Sequence, residues 1–309
     1  MTATLSPAHV TGRTYRGVGL MLAFCVMAPL LDVCAKLATA TIPVGQITAA
    51  RFFLQFALMV PVAVWMGLGW DLDRKTLGLM VVRALLLIVS TFTFVAAVQV
   101  MPIADALAIV FVEPFILLIL GYLLFGDSIG PRRIAASVVG FGGALLVIQP
   151  SIDIYGWVAL YPLGCAFAFA FYMLITRAAS PLMHPVMMQV HTSWMGSVFC
   201  LAAMWAYDGS GSAVLDPVMP QGWAWAWLLG VGFWATVSHM CITYALRYAP
   251  SATLAPLHYT ELISAVFYGY LIFGDFPNGI TWIGITIITG SGLYIIWRER
   301  AASRALPGH

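Results

Sequence analysis

The chain has 309 residues, of which 62% are apolar and 8% charged, with a mean hydropathy of +0.95. Soluble domains carry roughly a quarter charged residues, so there is too little polar surface here to cover a globule in water, and the same balance excludes a disordered chain. Net charge is +2, from 14 basic and 12 acidic residues without a Lys/Arg run, a balance that does not suggest a polyanion-binding surface and argues against nucleic acid as a partner. What remains is a protein whose principal solvent is the lipid bilayer.

A helix needs roughly 20 residues to cross a hydrocarbon core of about 30 Å. Apolar runs bounded by Pro, Gly or charge predict helices over 17–37, 44–66, 76–98, 103–125 and 133–149, then over 156–176, 186–207, 223–246, 252–273 and 280–297. The fold class expected is therefore an all-α integral membrane protein of ten transmembrane helices. The first run has some marks of a secretory signal, with Arg13 and Arg16 before it and Ala38-Thr39-Ala40 at its end. Asp32 and Lys36 interrupt it, however, and its removal would leave an odd number of spans.

Loop charges orient the spans. Arg13, Arg16, Arg74, Lys75, Arg132, Arg133, Arg177, Arg247, Arg298, Arg300 and Arg304 fall on one side, and Lys36 alone on the other. Positive residues concentrate on the cytoplasmic side, so both termini are expected in the cytoplasm, at the cell (inner) membrane. Trp65, Trp70 and Trp297 then mark cytoplasmic helix ends, and Tyr155, Trp157, Trp205, Trp223, Trp225 and Trp282 outer ones. The longest loop, 208–222, reads as a plain linker. Cys25, Cys34, Cys165, Cys200 and Cys241 lie in apolar stretches without C-x-x-C spacing and read as reduced packing residues.

An internal repeat organises the chain. Ala97 to Asp127 aligns without a gap on Ala245 to Asp275 at an offset of 148, with 10 of 31 positions identical. Glu113 pairs with Glu261, Pro102 with Pro250, and Phe125-Gly126-Asp127 with Phe273-Gly274-Asp275. Five spans per half is an odd number, so the copies enter the membrane from opposite sides as an inverted repeat, and in such transporters the substrate site lies near the midplane where the repeats meet. The organisation expected is a cytoplasmic tail over 1–16, a first five-helix repeat over 17–150, a second over 151–297 and a cytoplasmic tail over 298–309.

This pattern resembles the drug/metabolite transporter superfamily, specifically its paired EamA-domain members. The residues that carry the likeness are Lys36, Arg51-Phe52, Arg83, Ala96-Ala97, Met101-Pro102, Ala104-Asp105-Ala106, Pro114, Leu123-Leu124-Phe125-Gly126-Asp127 and Gly140-Phe141-Gly142-Gly143. The resemblance covers nearly the whole chain and implies a transporter, while leaving the cargo open across amino acids, nucleotide precursors, vitamins and cationic drugs. Asp127 and Asp275 stand where the family usually has Glu.

An ionisable group at membrane depth costs roughly 2.5 to 3.5 kcal/mol and so needs a partner, a wet cavity or a function. Glu113 and Glu261, mid-span and related by the repeat, are the first candidates for proton binding or for meeting a cationic cargo group. His258, Glu261, Ala265 and Tyr268 share one helical arc, and Pro256 frees a backbone carbonyl one turn before Glu261. Val110 stands where the second repeat has His258, so the site is expected to be asymmetric. His239 and His191 add two titratable groups, each also readable as a hydrogen-bonded core residue. Arg51 and Arg83 either snorkel to an interface, pair with Glu113 or meet a substrate carboxylate. Asp32 and Lys36, four residues apart, are expected to pair with each other. Tyr172, Trp194 and Trp234 lie too deep for an interfacial belt and either pack or stack on a planar cargo.

These readings converge on a secondary transporter or facilitator for a small organic metabolite, working by alternating access, with protons as a possible co-substrate and no cofactor. A zwitterionic or amphiphilic cargo such as an amino acid or vitamin is favoured, with riboflavin uptake as the alternative. Monomer and dimer both remain open. No H-E-x-x-H or Cys/His spacing points to a metal, and no nucleophile-base motif points to an enzyme.

Overall fold

In the computed structural model the described residues are 7–126, 130–148, 156–274 and 279–304, and every regular element among them is a helix. Asp127, Asp275 and Tyr155 lie outside them, as do the side chains of Asp105, Arg133, Arg298, Arg300 and Arg304. The first half contains α1 (Pro7–Ala38), α2 (Val44–Trp65), α3 (Arg74–Val98), α4 (Ile103–Val110), α5 (Glu113–Phe125) and α6 (Pro131–Ile148). The second contains α7 (Leu160–Ala179), entered through a short 3-10 turn, then α8 (Pro185–Tyr207), α9 (Ala224–Tyr248), α10 (Ser251–His258), α11 (Glu261–Tyr268) and α12 (Gly279–Arg304). Five helical stretches, Gly12–Ala38, Val44–Trp65, Arg74–Val98, Gly156–Ala179 and Ala224–Tyr248, are long and apolar enough to cross a membrane.

The runs expected as single helices over 103–125 and 252–273 are each broken in the middle. The breaks fall at Phe111-Val112 and Tyr259-Thr260, so α4 and α10, and the starts of α5 and α11, correspond at the same offset of 148 found in the sequence. Two chemistries produce one geometry. In the first repeat Pro114 lacks an N–H and its ring clashes with the carbonyl four residues back, Val110, where α4 stops. In the second repeat Leu262 replaces that proline, and the Thr260 hydroxyl donates to Leu257 O at 2.7 Å while Cys25 Sγ approaches the same carbonyl at 3.6 Å. Gly126 and Gly274 close the two copies in left-handed conformation, with φ of 65° and 77°, where a side chain would be strained.

Packing follows the repeat. α1 packs on α9 and α7 on α3; α2 packs on α8, and α6 on α12; α1 also meets α10 and α11 as α7 meets α4 and α5. Each contact therefore recurs with the halves exchanged, and most of the large interfaces join one half to the other. Two close approaches hold α2 between α8 and α9. A Cβ on Gly196 would lie 2.4 Å from the Phe52 ring, and one on Gly232 would lie 2.3 Å from Leu54 Cβ.

The loop between α8 and α9 is more than a linker. Asp216 accepts hydrogen bonds from Gly209 N and Gly211 N at 3.0 and 2.8 Å, and Gln46 of the first half pairs with the Val218 backbone through two bonds of 2.8 and 2.9 Å. Trp65, Trp157, Trp205 and Trp223 are strongly exposed, as residues at a lipid–water boundary are.

Candidate functional site

The helix breaks place two carboxylates at helix starts. Glu113 is the first residue of α5 and Glu261 the first of α11, where unpaired backbone N–H groups favour negative charge. His258, the last residue of α10, lies between them. Its Nδ1 is 2.6 Å from Glu113 Oε2 and its Nε2 is 2.8 Å from Glu261 Oε2, with all three side chains buried. Ionised carboxylates only accept hydrogen bonds, so the two contacts require two protons shared by the three groups: an imidazolium, or a neutral imidazole beside one protonated carboxyl. Loss of either proton sets lone pair against lone pair and releases one contact. Because Glu113 belongs to the first repeat and His258 to the second, that proton count governs a contact between the halves. Glu113 Oε1 has no partner among the described residues.

Next to the triad is a cavity of about 80 Å³. Phe24 of α1, Phe94 of α3, Phe111 at the first helix break and Phe169 of α7 form its walls, and Asp32, Arg51, His239, His258 and Glu261 its polar points. Phe24 and Phe169 stack with ring centroids 6.3 Å apart, and both approach the two histidines, Phe24 lying 5.4 Å from His258 and Phe169 6.1 Å from His239. Arg51 Nη2 donates to His239 Nε2 at 2.7 Å. The same Nη2 lies 3.4 Å from His239 Nδ1, which is itself 3.3 Å from Ser238 Oγ. Arg51 Nε and Thr91 Oγ1, both on cavity residues, have no partner among the described residues. The cavity is thus apolar in its walls and polar at a few points, as small-molecule sites are.

A second polar cluster lies beside it, centred on Arg83 of α3, which is 0% exposed. Its Nε donates to Thr176 Oγ1 at 2.8 Å, its Nη2 to Tyr172 OH at 2.7 Å and to Thr243 Oγ1 at 3.4 Å, and its Nη1 to Met188 O at 3.2 Å and to Thr192 Oγ1. Gln189 Oε1 accepts more weakly, at 3.4 and 3.5 Å. Thr176, Thr192 and Thr243 each donate to the carbonyl four residues back, at 2.7, 2.8 and 2.6 Å, and so turn their lone pairs toward the guanidinium.

Several sequence expectations are corrected by this geometry. Neither Arg51 nor Arg83 snorkels, since both are buried, and neither pairs with Glu113. Lys36 Nζ donates to Met101 O at 2.9 Å, while Asp32 lines the cavity with Arg51 and Glu261; the turn of α1 between them carries them to different neighbours. Four candidates stand away from the cavity lining. Trp194 is 37% exposed and donates from Nε1 to His191 Nδ1 at 3.2 Å, and Trp70 lies edge-on to the same imidazole. Trp234 packs edge-on against Phe233, and Tyr268 against Phe267. Glu261, His258, His239 and Arg51 line the cavity, Glu113 joins through His258, and Tyr172 and Arg83 lie behind the wall that Phe169 forms. Asp32 had the same signal as Glu113, a carboxylate inside an apolar run. Phe24, Phe94, Phe111 and Phe169 had none, because one phenylalanine in such a run looks like any other. All five cysteines are free thiols, and among the described residues no group of three His, Cys, Asp or Glu is arranged to hold a metal ion.

A helical bundle of two matching halves, with ionisable side chains gathered round an aromatic cavity between them, defines a multi-pass membrane transport protein. The comparisons give its family. The chain belongs to the EamA-like transporter family, whose model matches it twice, over residues 15–149 and 156–297. It is 29% identical over 222 residues to a riboflavin transporter of Rhizobium johnstonii, covering 72% of this chain and 71% of that one. A riboflavin transporter of Vibrio cholerae is 25% identical, covering 85% and 86%, and an S-adenosylmethionine uptake transporter of Rickettsia bellii is 24% identical, covering 94% and 97%. A solved crystal structure superposes with a TM-score of 0.74 at 16% identity, over 94% of this chain and 99% of that one. Family and relatives make this chain a transporter of a small metabolite rather than an enzyme.

Proposed function

We propose that this protein takes up a planar heteroaromatic nutrient, riboflavin first, by alternating access across the inner membrane. In this reading it has ten crossings in two inverted five-helix repeats, with both termini cytoplasmic; the crossings are α1, α2, α3, α4 with α5, and α6, then α7, α8, α9, α10 with α11, and α12. The observation that carries the cargo assignment is the aromatic cavity at the junction of the halves, whose Phe24 and Phe169 rings offer faces to a flat cargo and which, at about 80 Å³, has to widen as the halves part before such a ring enters. The names of the R. johnstonii and V. cholerae relatives supply the molecule. Discontinuous helices whose starts point into a site between inverted repeats are the usual means of binding in such transporters. Glu113, His258 and Glu261 form the proton-carrying element, because their contacts join the halves and depend on the proton count. A second reading, S-adenosylmethionine, is favoured by the Asp32 and Glu261 carboxylates in the cavity, which suit a sulfonium cation.

The test is fluorescence titration of the purified protein with riboflavin, together with uptake into proteoliposomes between pH 5.5 and 8.5. Binding in the micromolar range and a pH-dependent flux that Glu113→Gln and Glu261→Gln abolish are expected. No binding at high micromolar riboflavin overturns the cargo assignment. Unchanged pH dependence in both variants overturns the proton coupling.

A further inference from the structure

Arg83 is an expensive residue to keep where it is. It is fully buried, and every hydrogen-bond partner described above for its guanidinium is neutral. Burying an ion without a counter-charge costs several kcal/mol after relaxation, and an apolar side chain of similar volume would pack a bundle more stably. The shell round the guanidinium has a definite chemistry: the hydroxyls of Thr176, Thr192, Thr243 and Tyr172, with the Gln189 and Met188 carbonyls. Four hydroxyl oxygens accepting from one planar donor are what a polyhydroxylated chain would offer it.

This cage adjoins the cavity through one side chain. The Tyr172 ring stacks on Phe169 at 5.4 Å and approaches His239 at 5.8 Å, while Arg83 Cζ lies 4.5 Å from its centroid and bonds its hydroxyl. Along α9 the cavity residue His239 and the cage residue Thr243 are one turn apart, about 6 Å at 1.5 Å per residue, a span that a five-carbon chain covers. The cage also ties α3 of the first half to α7, α8 and α9 of the second, so a cargo that exchanges into it loosens an interface between the halves.

We propose that the Arg83 cage is a second binding station, which receives the polyhydroxylated tail of a cargo whose planar ring occupies the cavity by Phe24 and Phe169. Each tail hydroxyl replaces a Thr or Tyr hydroxyl on the guanidinium, so neither the hydrogen-bond count nor the buried charge changes, and the tail avoids the full cost of shedding its water unpaired. The inference rests on the flavin reading and deepens it, because it assigns the ring and the tail to separate groups of residues.

The experiment compares riboflavin with lumiflavin, which has the same ring system and a methyl group in place of the ribityl tail. Uptake into proteoliposomes gives kcat/KM for each, and the readout is their ratio. The wild-type protein is expected to favour riboflavin; Arg83→Lys is expected to lower that preference by about tenfold, the loss of one or two net hydrogen bonds, and Thr192→Val, which frees a guanidinium N–H for the tail, to raise it. Tyr172→Phe, which keeps the ring and removes one competing acceptor, is likewise expected to raise it. Variants that only disturb packing depress both fluxes together; an unchanged ratio in both Arg83→Lys and Thr192→Val overturns the station. A wild-type protein without preference between the flavins also overturns it while leaving the flavin reading intact. Uptake of neither flavin overturns both.

Discussion

Replacing His258 by Val gives the second repeat the side chain that Val110 supplies in the first, and removes the donor between two buried carboxylates. The structure sets the scale: contacts of 2.6 and 2.8 Å to Glu113 and Glu261 are lost together. Hydrogen bonds to charged groups contribute about 1.5 to 3 kcal/mol each. A net destabilisation of about 3 kcal/mol is expected, in line with the roughly 3 to 5 kcal/mol for breaking a buried pair from one side. At about 2 °C per kcal/mol for a chain of this size, Tm falls by about 6 °C. Thermal unfolding in detergent, followed by tryptophan fluorescence at pH 7.5, measures it. Adding Glu113→Gln and Glu261→Gln to His258→Val removes the carboxylates that the missing imidazole leaves behind, and is expected to restore about half the loss. A single variant within about 1 °C of wild type, or a triple variant no more stable than the single one, would refute the bridge as a stabilising element.

Two further outcomes follow from other parts of the fold. Gly196→Val places its side chain against the buried Phe52 ring, where even a Cβ would lie at 2.4 Å; overpacking of this kind costs about 1 to 3 kcal/mol or more. A sharp loss of monodisperse protein on size-exclusion chromatography is expected, with Gly69→Ala, which meets nothing within 4 Å, as the unaffected control. At the start of α3, Asp73 accepts from Lys75 N at 3.2 Å, and the Thr76 hydroxyl, helped by the Lys75 and Thr76 amides, holds its carboxyl below the usual aspartate range. A carboxyl lowered on folding binds fewer protons folded than unfolded, so its stabilisation is present above about pH 4 and lost as pH falls. Asp73→Ala should therefore lower Tm at pH 7 and converge on wild type as the pH falls below the aspartate range; a gap that stays constant with pH would contradict the capping role.

How much of this could be read in the chain differs from residue to residue. Glu113 and Glu261 were legible because a carboxylate in an apolar run is costly wherever it ends up, and because the repeat relates them. His258 was legible as part of a polar stripe with Glu261, but its bond to Glu113, 145 positions away, was not. Asp32 and Lys36 are spaced for a helical pair, yet separate because each finds another neighbour, the cavity for one and the Met101 carbonyl for the other. Trp194 and Trp234 satisfied the criterion of depth, which says nothing about which side of a helix faces the cavity.

Composition and hydropathy by themselves determined that the chain lives in lipid as helices, and the gapless match at an offset of 148 determined that it is built of two like halves. Both are properties of residue type and order along one dimension, and lipid leaves the backbone few alternatives to a helix. The tertiary structure alone decided that Arg51 meets His239 while Arg83 sits among hydroxyls, and that four phenylalanines from separate segments form one cavity. Those outcomes depend on the rotation and depth at which each helix packs. Side-chain shape across the interfaces between the halves fixes both, and no single helix carries that information in its own sequence.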